Sequence, residues 1–227
     1  MLKRPRIATP SKAARAPFKK PKLNRTFSSK NLLFQSNTVK YGPEKKNIDT
    51  DMTMASGISV GIASPAWSIS PLLNGVAEGT TPSTRIGRKI TLKSIQLVWT
   101  ARFPTAATGG CTLRFRIVYD KQANGAAPSA ISMFQTDSYY APNNLGNADR
   151  YITVVDHITD SMSVDGDRDV SGRIYKKLGL DTMYTGSTSG IASIGTGSLY
   201  LFVSQSGGAG TSSPFLNAFV RVRYSDA

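Results

Sequence analysis

The sequence predicts an all-β body, a sandwich or barrel, preceded by a strongly basic arm. Beyond Glu44, short β-branched and aromatic runs are separated by clusters of Gly, Pro, Asn and Ser, the punctuation of short strands joined by turns. Helical periodicity is nearly absent from that region. The charge is also divided unevenly. Residues 1–46 hold thirteen Lys or Arg against one acid, Glu44, so +12 of the +14 total lies there and the other 181 residues carry only +2.

Eight segments read as strands, beginning with 47–54 and then 57–72, where Pro65 divides two short strands. The next, 89–103, is a long run rich in Ile, Leu, Val and Trp. The clearest is 112–120, where Leu113, Phe115, Ile117 and Tyr119 point one way and Arg114 and Arg116 the other. That alternation predicts one core face and one wet face. Segments 150–157, 169–178 and 198–206 follow. In the last, 215–224, Leu216, Ala218, Val220, Val222 and Tyr224 alternate with Phe219, Arg221 and Arg223, again setting basic groups opposite an apolar face.

The connections 121–149 and 179–197 are longer than compact domains normally use. Long loops on a sheet scaffold usually carry contacts or function. The first contains Phe134, Tyr139 and Tyr140, which the sequence places as exposed aromatics available for contacts between subunits.

A chain of 227 residues can build one substantial core. The first 46 residues belong to a separate arm: Lys, Arg, Pro, Ser and Ala dominate, with five prolines, Pro5, Pro10, Pro17, Pro21 and Pro43. Such a composition buries too little surface to offset its ordering entropy, so the arm is expected to be disordered on its own. A single cysteine, Cys111, closes no intramolecular disulfide, which fits an intracellular setting. No secretory signal or membrane span is expected, because Ala, Pro and Lys alternate at the start and no apolar run is long enough.

Enzyme chemistry has little to work with. One His157 and one Cys111 do not supply the usual groups of a metal or acid–base site. His157 reads as a sheet residue and Cys111 as a small buried group at a strand start. Residues 206–211 lack the Lys of a phosphate loop and read as a turn. Asp165, Asp167 and Asp169 have the spacing of the first calcium-loop ligands, but Val170 stands where Gly is needed and Lys176 where Glu is needed, so a turn is the better reading. Asn24-Arg25-Thr26 matches a glycosylation sequon, but within a basic arm that follows no secretion signal. No cofactor or metal is expected.

The arm reads instead as a nucleic-acid device. Lys3, Arg4, Arg6, Lys12, Arg15, Lys19, Lys20, Lys22, Arg25 and Lys30 can neutralise phosphates and release counterions, but an unfolded segment cannot place donors against base edges. Phe18, Phe27, Phe34 and Tyr41 interleave with these charges and can stack on unpaired bases, favouring single strands, or, for Phe34 and Tyr41 equally, can pack on the body or a neighbouring subunit. Lys3-Arg4-Pro5-Arg6 and Lys19-Lys20-Pro21-Lys22 fit a nuclear-localisation signal read by host import receptors. Arg114, Arg116, Arg221 and Arg223 are candidates to extend the binding surface onto the body, or are simply solvated charges.

Lys3-Arg4-Pro5, Thr9-Pro10, Ser11-Lys12 and Lys22-Leu23-Asn24 resemble the opening of geminivirus coat proteins. Arg85-Ile86-Gly87-Arg88-Lys89-Ile90 with Lys93-Ser94-Ile95 resembles the start of the long strand in capsids of Rep-encoding circular single-stranded DNA viruses. Further motifs agree in order: Arg116-Ile117-Val118-Tyr119-Asp120-Lys121 with Asn124-Gly125, Asn143 to Leu145, Arg150, Asp156, Gly197-Ser198-Leu199-Tyr200-Leu201, and Val220 to Asp226. The chain is shorter than geminivirus coat proteins and lacks their additional Cys and His. The resemblance implies an eight-stranded viral jelly-roll sandwich. It further implies a T=1 icosahedral shell of about sixty copies, packaging of circular single-stranded DNA, and host nuclear entry before the virion forms. RNA cannot be separated from DNA on the arm alone. A viral nuclear shuttle or movement protein would share the arm and β body without forming a shell.

Overall fold

The computed structural model describes residues 45–52, 58–59, 66–102, 110–160, 169–206 and 214–226. Ten strands form two antiparallel sheets: β1 (Lys46–Met52), β2 (Ile58–Ser59), β3 (Ser68–Ile69), β4 (Lys89–Arg102), β5 (Leu113–Asp120), β6 (Tyr151–Ile158), β7 (Asp169–Tyr184), β8 (Ile194–Thr196), β9 (Ser198–Gln205) and β10 (Phe215–Asp226). The first sheet runs β1-β10-β4-β7-β8, with β2 also pairing β10, and the second runs β3-β9-β5-β6. With β2 and β8 set aside, β1-β10-β4-β7 and β3-β9-β5-β6 contain eight strands in jelly-roll order. The predicted all-β jelly-roll sandwich is therefore the observed fold.

Period-two alternation builds the core. Leu113, Phe115, Ile117 and Tyr119 of β5 and Leu199, Leu201 and Val203 of β9 face Leu216, Ala218, Val220, Val222 and Tyr224 of β10 across the sandwich, all buried. On β4 the apolar series changes parity, Ile90 and Leu92 giving way to Ile95, Leu97, Trp99 and Ala101. A bulge between Leu92 and Ser94 absorbs the odd residue and keeps both series inside.

Three expectations are corrected. Strand 169–178 extends to Tyr184, because Leu180, Thr182 and Tyr184 continue the inward alternation past Gly179, and β8 occupies 194–196, so much of the expected loop 179–197 is sheet. The outer face of β5 is not wet. Trp67, Met133, Phe134 and Ala141 fold over Val118, Tyr200 and Phe202 to form a second apolar layer, leaving every residue of β9 buried. Finally, Phe134 and Tyr139 are not exposed: Phe134 is buried within this roof and the Tyr139 hydroxyl hydrogen-bonds Thr112. Of the three loop aromatics only Tyr140 is exposed, packed edge-on against Tyr139.

The roof has local causes. Ser129 caps the short helix Ala130–Met133 by accepting a hydrogen bond from the Ser132 amide. The Trp67 indole donates to the Ser138 carbonyl and its backbone amide to Asp137, tying the segment before β3 to the loop. Burying aromatic rings this size is worth about 1.5–3 kcal/mol each, enough to hold a long connection against the sheet.

Candidate nucleic-acid interface

On β10, Phe219, Arg221 and Arg223 occupy the positions between the core residues, so they stand on the outward face of the first sheet. The register places neighbours beside them in rows. Asp51, Phe219, Val98 and Arg173 share one row, Asp49, Arg221, Gln96 and Tyr175 the next, and Asn47, Arg223, Ser94 and Lys177 a third. Successive rows lie about 7 Å apart along the strands. Val98 and Tyr175 are well exposed. This sheet face interleaves cationic, aromatic and apolar groups, the composition that tracks a single strand's phosphates and stacks its bases.

Its charges differ in availability. Arg221 donates two hydrogen bonds to the Asp49 carboxylate at 2.7 and 2.6 Å, and the hydrogen bond from Arg221 holds the Asp49 carboxyl below its ordinary value. Arg102 is paired with Asp169, and Lys89 with Asp181. Arg173, Lys177 and Arg223 make no ion pair within 4.0 Å among the described residues. These three are among the cations of the face open to a polyanion.

Arg114 and Arg116 sit elsewhere. They occupy the outward face of the second sheet, on the opposite side of the sandwich from Arg221 and Arg223, so the four do not share a surface. The Arg116 side chain is 2% exposed, with its Nε 3.0 Å from Asp156, and its guanidinium lies 4.7 Å from the Phe134 ring centre and 5.3 Å from that of Trp67. Arg114 donates to both oxygens of Asp156, at 2.8 and 2.7 Å, and to the Tyr139 carbonyl. Partial burial would raise the Asp156 carboxyl, but the Arg114 hydrogen bond and the Arg116 charge outweigh it and hold the group below its usual range. The pair fastens the roof. That placement leaves Arg116 no access to phosphate, which corrects its assignment to the binding set.

Among the other singled-out residues, His157 lies on β6 with its ring centre 5.2 Å from that of Trp99 and 4.9 Å from that of Phe115, as a sheet residue should. Cys111 is buried, and burial pushes its thiol up to about 11. Asp169 pairs with Arg102, whereas Asp165 and Asp167 fall outside the described residues. So do the arm residues Lys3, Arg4, Pro5, Arg6, Lys12, Arg15, Lys19, Lys20, Pro21, Lys22, Arg25 and Lys30. Arg173, Tyr175 and Lys177 were missed, although their alternation within 169–178 is the same period-two signal that marked Arg221 and Arg223.

No family model matches the chain, and no curated protein matches it. A solved structure from Desmodium yellow mottle tymovirus is similar over 96% of each chain, at 9% sequence identity and a TM-score of 0.31. The jelly-roll assignment rests on the strand order itself.

Proposed function

We infer that this chain is a structural protein of a virion. Many copies assemble into a small icosahedral shell, and the basic arm and the outward face of the first sheet hold a circular single-stranded DNA genome inside it. The observation that carries this reading is the joining of a jelly-roll body, which begins at Lys46, to a preceding segment of net charge +11, with unpaired cations also standing on one sheet face. The arm also provides the nuclear-import signal that would bring new subunits to the genome. Binding by the arm is electrostatic and indifferent to sequence, because an unfolded segment presents no rigid donors to base edges.

Electron microscopy of the purified protein tests the shell. Uniform small particles enclosing nuclease-protected circular single-stranded DNA are the expected result; an absence of particles with nucleic-acid binding intact would replace the shell by a shuttle or movement protein. The face is tested separately. Replacing Arg173, Lys177 and Arg223 with Gln is expected to reduce the slope of log affinity against log salt by about 2 for a single strand, whereas Arg114→Gln leaves it unchanged. Equal slopes for both would remove the sheet face from the interface.

A further inference from the structure

At one side of the sandwich the two sheets part between β6 and β7, leaving a cavity of about 220 Å³ whose lining includes Trp99, His157, Asp160, Ser171 and Gly172. Trp99 is only 4% exposed, yet its indole Nε1 has no hydrogen-bond partner. Buried donors are normally satisfied, and one left over is unfavourable. Gly172 pairs with Trp99 across the sheet. A Cβ there would lie 2.7 Å from the indole ring, so glycine is what allows the ring to rest against the strand beside the cavity.

We propose that this cavity takes one nucleobase of the bound single strand, and the inference rests on the nucleic-acid reading above. Three observations select the guest. The volume is below the ~300–1,000 Å³ of sites for drug-sized ligands, which restricts the guest to one small group. The unpaired indole donor calls for a buried acceptor, which a base supplies as a carbonyl oxygen or ring nitrogen. The exposed Asp160 carboxylate at the rim accepts from a ring or exocyclic N–H, and the aromatic wall of Trp99 and His157 suits a flat ring. The next residue of β7, Arg173, shares a register position with Val98 on the basic face. A strand lying on that face could therefore turn one base around the edge of β7 and keep its phosphate beside Arg173.

The test uses the full-length chain carrying Trp67→Phe, in which Trp99 is the remaining tryptophan of two. Trp99 emission is followed while a six-nucleotide thymidine oligomer, or an abasic oligomer of equal length and charge, is added at low salt. The expected result is a change in emission with the thymidine oligomer and none with the abasic one, and loss of that change in Gly172→Ala, whose methyl group would collide with the indole and push it from its place beside the cavity. Should Gly172→Ala fail to fold, the comparison of the two oligomers still decides. If both oligomers bind and neither alters Trp99, the cavity is not a base site, while the packaging proposal stands. A change on particle formation without nucleic acid would assign the cavity to a neighbouring subunit's side chain and overturn the proposal. Failure of both oligomers to bind would sink the packaging reading itself.

Discussion

Particles made from a chain lacking residues 1–40 are expected to assemble and to retain far less nucleic acid than particles of the full chain. The deletion removes eleven basic residues and no acidic one. For single strands, log affinity falls with log salt at about 0.7 per neutralised phosphate, so full engagement of the arm would account for a slope of about 8. The open cations of the sheet face account for about 2. The arm therefore dominates at moderate salt. The body keeps its own core and strand pairing, none of which the deleted residues supply in the described structure. The ratio of absorbance at 260 and 280 nm for purified wild-type and truncated particles measures the difference. Normal nucleic-acid content in truncated shells would show that the arm is not the packaging element.

The second large effect concerns stability. Asp156→Ala is expected to destabilise the body by about 3 kcal/mol, whereas Arg116→Met costs far less. Removing one partner of a buried pair usually costs 3–5 kcal/mol because the other charge is left buried. Asp156 is itself partly exposed, which places the effect at the low end. In Asp156→Ala the Arg116 guanidinium, 2% exposed, would keep only Asn143 as a polar partner at 3.3 Å. In Arg116→Met a flexible apolar side chain fills the space between Trp67 and Phe134, while Asp156 retains both hydrogen bonds from Arg114. For a body this size, 3 kcal/mol corresponds to a fall of about 6–12 °C in Tm. Similar midpoints for the two variants, by differential scanning calorimetry, would refute the asymmetry. The same ion pair should weaken in acid. The Asp156 carboxyl is depressed, so its contribution is complete above the ordinary aspartate value near 3.9 and is lost as pH falls through the lower folded-state value.

Legibility followed periodicity. β5 and β10 could be read residue by residue because their alternation is strict and their inward faces are apolar. β8 could not, since three residues carry no period, and β7 was cut short at Gly179 because glycine commonly marks a turn. The roof over the second sheet was harder still. Its apolar groups come from Trp67 and from the irregular stretch between β5 and β6, and they meet only in three dimensions. Arg116 therefore looked like a solvent charge, because alternation says which face a side chain occupies and not what later covers it. The candidate face was half legible. Alternation placed Arg221 and Arg223 opposite the core, as observed, but telling them apart from Arg114 and Arg116 required knowing which sheet each strand joins.

The position of β10 has a consequence for synthesis. It is the last of the described strands to leave the ribosome, yet it lies between β1 and β4 in the first sheet and supplies five core residues. β1 and β10 must therefore meet before the first sheet has a complete inner wall. The body cannot close before β10 is made, however early β5 or β9 emerges. Until then a nascent chain presents no finished surface of the first sheet.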